Sequence, residues 1–201
     1  EETFRRLLSG ILDQLEVGED TASETLLEEG MYLENPLHAE MKFCEGGFEA
    51  ILTEDNRYDM WNGEINAVRV GKHYVNTDFF VETEIQISFT DKDLYQDGIA
   101  IHFDDRTCIM FGPVISDTKM INIFYPSAEE YNLYEEVWEG DKVKIRVEGV
   151  GEYLLFKIWK NNRYQTVKRM KPQGKVCKAE VFSRTWEYFR HVAKFREIHL
   201  S

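Results

Sequence analysis

The sequence predicts an all-β fold, a two-sheet antiparallel β-sandwich that follows an N-terminal α-helical extension. Three observations predict it. Apolar residues recur with a period of two from about residue 40 onward, short turn motifs separate these stretches, and helical periodicity is confined to the beginning of the chain. About a dozen short strands with few helices are typical of a sandwich whose two sheets share one core.

The N-terminal extension is predicted from an amphipathic helix over residues 3–15. Its apolar residues follow the i, i+3, i+4 spacing, and they are Phe4, Leu7, Leu8, Ile11, Leu12 and Leu15. Thr3 can cap this helix, Gly18 can end it, and a second short helix is predicted over 22–29. We assign residues 1–35 to a helical extension or linker that could dock on the domain, join it to a neighbour or form a dimer.

The clearest strand lies at residues 79–89, where apolar and polar side chains alternate along the whole stretch. Similar alternation predicts strands at 98–103, 142–148 and 153–159. Shorter strands are predicted at 41–45, 48–53, 64–70, 107–112, 119–125, 164–169, 175–182 and 190–199. The segment 127–137 is predicted to be a helical turn or an irregular loop.

Hairpins and short loops are predicted between these strands by glycine, asparagine and proline. The motifs are Gly46-Gly47, Asn62-Gly63, Glu139-Gly140-Asp141, Gly151-Glu152, Lys160-Asn161-Asn162-Arg163 and Pro172-Gln173-Gly174.

The charge of the chain is unevenly distributed. The net charge is −13, and residues 1–60 carry 16 acidic and 4 basic side chains, whereas residues 151–201 carry 4 and 12. One interpretation is that strands from the two ends of the chain meet in one sheet system, so that their opposite charges cancel in space. The other is that the basic end binds an anion or a partner. An acidic overall field argues against nucleic-acid binding. The sequence has no apolar run of the roughly 18 residues that a membrane helix needs.

Cys44, Cys108 and Cys177 are the three cysteines of the chain, and they are far apart in sequence. Their odd number and the absence of a CxxC motif argue against a disulfide framework or a zinc site. Free thiols favour a reducing compartment such as the cytoplasm.

Four motifs resemble a known family. Tyr58-Asp59-Met60-Trp61, Asp78-Phe79-Phe80-Val81-Glu82 and Tyr95-Gln96-Asp97-Gly98-Ile99 follow one another as in concanavalin A-like lectin/glucanase jelly rolls, most closely the "regulation of enolase" type. Met110-Phe111-Gly112 resembles the following Lys-x-Gly strand but lacks its lysine. The resemblance covers residues 41–200, which we assign to one sandwich domain, and it implies a concave sheet that holds carbohydrate.

The resemblance directs attention to the polar face of strand 79–89, because sugars need aromatic faces and polar groups. That face supplies Phe80, Glu82, Glu84 and Gln86, and we expect neighbouring strands to add His102 and Met110. The candidate stacking platforms are Trp61, Tyr95, Trp138, Trp159 and Trp186. Each aromatic could instead simply pack in the domain, and the polar face could simply be solvated.

Catalysis and metal binding are alternatives at this face and its loops. Glu82 and Glu84 lie roughly 7 Å apart along a strand, within the roughly 6.5–9.5 Å of inverting glycosidases. The Glu-x-Asp-x-Glu strand of glucanases with this fold is absent from the sequence. Asp91, Asp93 and Asp97 lie in acidic loops of the kind that can bind calcium. No motif in the sequence predicts a cofactor.

We therefore expect a non-catalytic carbohydrate-binding or recognition domain, attached to a larger protein or free. The first alternative is a protein-interaction or structural module that acts through the N-terminal helix. The second is a glycoside hydrolase that uses Glu82 and Glu84.

Overall fold

The structure, a computed structural model, describes residues 29–61, 64–74, 77–88, 94–104 and 106–201. The predicted helix at 3–15, and the predicted helix at 22–29 except for residue 29, lie outside the described residues. The strands of the described part are β1 (Met31–Glu34), β2 (Glu40–Cys44), β3 (Gly47–Leu52), β4 (Val68–His73), β5 (Phe79–Gln86), β6 (Tyr95–His102), β7 (Cys108–Ile115), β8 (Lys119–Phe124), β9 (Asn132–Val137), β10 (Lys142–Val150), β11 (Tyr153–Lys160), β12 (Arg163–Met170), β13 (Lys178–Thr185) and β14 (His191–Leu200).

The strands form two antiparallel sheets of seven strands each, so the predicted all-β sandwich is confirmed. Sheet A has the order β1-β4-β13-β6-β7-β8-β9, and sheet B has the order β12-β11-β10-β5-β14-β3-β2. Within the described residues, no helix has the length and apolar character needed to cross a membrane.

Two segments differ from the sequence prediction. Residues 127–137 were expected to be a helical turn or loop, but β9 pairs with β8 as the edge of sheet A. Met31–Glu34 pairs with β4 and forms the other edge of sheet A, so this sheet begins before residue 41. β1 is too short to be distinguished from a linker in the sequence. It pairs with β4, a strand that is distant along the chain.

The core lies between the sheets and is built from every second residue of the long strands. Phe111 of β7 meets Phe156 of β11 edge to face, with ring centres 5.5 Å apart. Phe48 and Phe195 pack on neighbouring strands of sheet B at 4.8 Å. These aromatic contacts bury large apolar areas, which is the main favourable term in folding.

Part of the charge asymmetry of the sequence is compensated by ion pairs between distant segments. Arg196 Nη2 lies 2.7 Å from Glu49 Oε1, and Arg184 Nη1 lies 3.1 Å from Asp59 Oδ1. Basic residues near the C-terminus therefore pair with acidic residues from the first third of the chain, as the first of the two interpretations predicts. All three cysteines are free thiols.

Candidate functional site

The predicted site on β5 lies on the outer face of sheet B, the face turned away from the core. Glu82 accepts hydrogen bonds from Arg146 Nη2 at 2.6 Å and from the Tyr164 hydroxyl at 2.7 Å. The Arg146 guanidinium lies over the rings of Phe80, at 4.7 Å, and Tyr164, at 4.5 Å. Glu82 is therefore held on several sides by side chains of its own sheet.

Glu82 is poorly suited to act as a general acid. Burial alone would raise the pKa of Glu82, but the hydrogen bonds from Tyr164 and Arg146 outweigh it and lower the pKa. A general acid needs the opposite shift. Glu84 binds Lys142 Nζ at 3.2 Å, and Gln86 is exposed. Trp159 is 42% exposed and packs edge-on against Tyr164 at 5.0 Å.

The remaining predicted site residues do not join this face. His102 and Met110 belong to β6 and β7 of sheet A, so the expectation that strands beside β5 would supply them is wrong. Trp61 also packs on the outer face of sheet A. Tyr95 lies in the core between the sheets, where its ring stacks on His191 at 3.8 Å, and it is fully buried.

The outer face of sheet A differs from an ordinary solvated sheet because β6 and β7 are buried along their whole length. The strand register places the outward side chains in rows across the sheet. One row runs through Phe182, Gly98, Gly112, Asn122 and Glu135, and the next runs through Arg184, Gln96, Val114, Met120 and Val137. Aromatic, amide and charged groups are thereby brought together from five strands.

Glu180 is the centre of a buried polar group that we call the Glu180 cluster, made of Glu180, His102, Arg69 and Tyr32. His102 Nε2 lies 2.5 Å from Glu180 Oε2, while Arg69 Nη1 and the Tyr32 hydroxyl approach Oε1 at 3.1 and 2.8 Å. Burial by itself raises the pKa of Glu180, but these partners, His102 foremost, lower it to about 2.

Arg184 forms the second buried polar group, at the neighbouring rows of the same face. Its Nη1 donates to Asp59 Oδ1 and its Nε donates to Gln96 Oε1, both at 3.1 Å. The guanidinium also lies over the rings of Trp61, at 5.1 Å, and Trp186, at 4.8 Å. Burial lowers the pKa of Arg184 to about 10, although Asp59 acts in the opposite direction. Arg184 thus fixes the position of Trp61.

Trp61 also belongs to a group of three rings that we call the aromatic platform. It consists of Trp61, Phe124 and Tyr131. Trp61 packs edge-on against Phe124 at 5.6 Å and against Tyr131 at 5.7 Å. Tyr131 is 53% exposed, and the other two rings are half-buried. A half-exposed ring held by its neighbours offers a ligand apolar area at little cost in side-chain entropy.

A line of polar side chains, the amide chain, lies beside the platform and consists of Asn122, Asn132 and Glu135. Asn122 Nδ2 donates to Asn132 Oδ1 at 3.4 Å, and Asn132 Nδ2 donates to Glu135 Oε2 at 2.8 Å. Asn122 is only 3% exposed, yet its Oδ1 has no hydrogen-bond partner among the described residues. A buried acceptor without a partner is costly unless a ligand or water satisfies it.

The predicted calcium loop receives no support from Asp97. Asp97 is fully buried inside the sandwich, where His191 Nε2 lies 3.0 Å from its Oδ2. Asp91 and Asp93 lie outside the described residues. Within the described part of the chain, no three His, Cys, Asp or Glu side chains are grouped as metal ligands.

A pocket of about 430 Å³ opens at one end of the sandwich. Its lining includes Phe79, Leu154 and Val176, with Lys171 and Lys175 at the polar positions, and contains no residue of sheet A. Tyr153 and Glu152 also line this pocket, and neither belongs to the residues predicted from the sequence to form a site.

Sequence reasoning missed Tyr131, Phe124, the amide chain and Arg184. The segment that contains Tyr131 and Asn132 was interpreted as loop or helical turn, and Arg184 belongs to a strand whose two faces are both buried. The available signal was the alternation of Met120, Asn122 and Phe124, which puts one amide between apolar residues on the outer face of β8.

Comparison with known proteins gives the fold. No protein-family model matches the chain, and no curated protein matches it in sequence. A functionally unknown protein from Saccharomyces cerevisiae has a solved structure with a TM-score of 0.70 and 15% identity, over 86% of this chain and 96% of that one.

Two further solved structures are similar in fold. The GH43 BlXynB protein from Bacillus licheniformis matches with a TM-score of 0.67 and 11% identity, over 84% of this chain but only 36% of that one. The legume lectin-like domain from Entamoeba histolytica matches with a TM-score of 0.53 and 12% identity, over 86% and 89%. At these identities the likeness concerns the fold alone, which is a two-sheet β-sandwich.

Proposed function

We propose that this chain is a non-catalytic carbohydrate-binding domain whose site is the outer face of sheet A at the aromatic platform. The observation that carries the proposal is the exposed ring of Tyr131, held beside Trp61 and next to a buried amide acceptor. A sugar ring places its C–H face on an aromatic ring and its hydroxyls on polar groups.

The structural neighbours support this proposal at the level of fold. The matched part of the Bacillus licheniformis protein is about a third of its chain, so a similar sandwich can be one part of a larger polypeptide. We propose the same for this chain, as an accessory module. Membership of the "regulation of enolase" type is likewise a proposal, supported by the motif that supplies Asp59 and Trp61 to the site.

The test compares two exposed aromatics on opposite faces. A panel of oligosaccharides is titrated against wild type, Tyr131→Ala and Trp159→Ala, with binding followed by calorimetry. We expect Tyr131→Ala to weaken the binding of any responding sugar at least about tenfold, because stacking groups dominate such sites. Trp159→Ala has a comparable exposed area and should bind as wild type does.

Two outcomes would contradict the proposal. One is the absence of binding across a broad panel. The other is loss of binding in Trp159→Ala with Tyr131→Ala unaffected, which would move the site to the outer face of sheet B, where sequence reasoning first looked for it.

The alternative of a protein-interaction module is favoured by one observation. Val137 and Tyr188 are large apolar side chains with 67% and 65% exposure. Light scattering with and without residues 1–28 tests the version in which the N-terminal segment forms a dimer. A monomer in both cases would remove that version.

The hydrolase alternative remains a prediction for Glu82 and Glu84. Hydrolysis of oligosaccharides by wild type, abolished in the double Gln variant, would support it. Any activity that persists in that variant would exclude these carboxylates as its source.

A further inference from the structure

The surroundings of the aromatic platform are strongly acidic. Residues 125–141 contain no lysine or arginine, and their acidic residues are Glu129, Glu130, Glu135, Glu136, Glu139 and Asp141. Glu136 is neutralised by Lys160 Nζ, 2.6 Å from its Oε2. Glu129, Glu130 and Glu135 are exposed. A ligand on the platform therefore meets a negative field.

The hydrogen bonds of the amide chain all run toward the Glu135 carboxylate. Each asparagine uses its amide nitrogen to donate to the next member, and the chain ends on the Glu135 carboxylate. The free group at the other end is an acceptor, Asn122 Oδ1, which is buried and lacks a partner among the described residues. Acceptors therefore remain at both ends, and the matching ligand groups are hydrogen-bond donors.

The cations that contact this region are already bound. Arg184 lies over Trp61 but gives its hydrogen bonds to Asp59 and Gln96. Lys160 is held by Glu136, and Lys119 Nζ donates to the backbone carbonyls of Glu139 and Gly140. The exposed glutamates would repel an anionic sugar such as a uronate.

We infer that the ligand of this site is a cationic oligosaccharide that contains glucosamine, with its ammonium group between Glu135 and the aromatic platform. The inference rests on the proposed function and specifies its ligand class. The ammonium satisfies acceptors with three donors, pairs with a carboxylate and is attracted to the face of Tyr131.

The test uses three β-1,4-linked tetramers that differ in the group at C2. They are the glucosamine tetramer, the N-acetylglucosamine tetramer and cellotetraose, which carry an ammonium, an acetamide and a hydroxyl. Binding to the full chain is measured by calorimetry in low-salt buffer in which the amine is protonated. We expect the glucosamine tetramer to bind about tenfold more tightly than cellotetraose, through the added ion pair and cation–π contacts.

Two matched variants test which carboxylate causes the preference for the glucosamine tetramer. Glu135→Gln should reduce the preference for the glucosamine tetramer over cellotetraose to about twofold or less, because it removes the carboxylate that pairs with the ammonium. Glu84→Gln removes the same charge from the outer face of sheet B and should keep the full preference. Added salt should weaken the glucosamine tetramer selectively, because it screens an exposed ion pair.

The outcomes separate this inference from the proposed function. Equal or tighter binding of cellotetraose, or a preference that survives Glu135→Gln, would overturn the inference while carbohydrate binding stands. Absence of binding by all three tetramers and by the wider panel would overturn both.

Discussion

Charged residues are placed differently on the two outer faces of the sandwich. On sheet B, Glu82, Glu84 and their neighbours form ion pairs along strands that alternate between buried and exposed residues. On sheet A, Glu180 and Arg184 are removed from water together with the apolar side chains of Met110 and Phe182. The outer face of sheet B is solvated, whereas the outer face of sheet A buries charged and apolar side chains together.

The difference shows where to look for a binding function. On the outer face of sheet B, the carboxylates of Glu82, Glu84 and Glu148 are paired with Arg146, Lys142 and Lys157. The outer face of sheet A keeps buried groups without partners in the described part of the chain, among them Asn122 Oδ1 and Gln96 Nε2. Burial of such groups costs stability, and the proposed function places its ligand at this face.

The largest expected effect comes from removing the central carboxylate of sheet A. Glu180→Ala leaves Arg69 buried without its close partner, so we expect a loss of about 3–5 kcal/mol in the free energy of unfolding. Urea denaturation measures it. A loss below about 1 kcal/mol would show that the Glu180 cluster is no more than a surface ion pair.

Acid should weaken the same cluster. Since the pKa of Glu180 is lowered from 4.5 to about 2, its ionised form stabilises the fold above about pH 4.5, and this contribution is lost as pH falls toward 2. The stability advantage of wild type over Glu180→Gln should shrink by an amount on the order of 3 kcal/mol across this window. Denaturation at a series of pH values checks it, and a difference independent of pH would contradict it.

A glycine in β4 makes room for the cluster. A Cβ on Gly71 would lie 2.5 Å from Glu180 Cγ and 3.0 Å from the Tyr32 hydroxyl. Gly71→Ala should therefore separate Tyr32 from Glu180 and cost about 2 kcal/mol of stability. Urea denaturation of Gly71→Ala beside Tyr32→Phe measures both; a smaller loss in Gly71→Ala than in Tyr32→Phe would count against this steric account.

The smallest effect is expected on sheet B. Glu84→Gln breaks the pair with Lys142, whose side chain is 62% exposed, so the free energy of unfolding should change by less than about 1 kcal/mol. Urea denaturation of this variant beside Glu180→Ala gives the contrast between the two faces. Similar losses in both variants would remove the distinction.

The sequence predicts the solvated face well and the buried face poorly, and the reason is physical. A strand with one wet face alternates, so β5, β10 and β11 could be located from Phe79, Val143 and Leu154 onward. β6 is buried on both faces, and its alternation begins only at Ile99, so nothing in Tyr95-Gln96-Asp97-Gly98 shows which side chain points outward. The site also joins Trp61 to Tyr131, and this contact between distant segments is created only by the fold.

The central claim is that sugars bind at Trp61 and not at Trp159. The chain has four tryptophans, so uniform labelling with 5-fluorotryptophan gives one fluorine signal for each, assigned by single Trp→Phe variants. Titration with the oligosaccharide that binds best should shift the Trp61 signal most, followed by Trp186, and leave Trp159 unmoved. A titration that shifts Trp159 and leaves Trp61 unmoved would contradict the account.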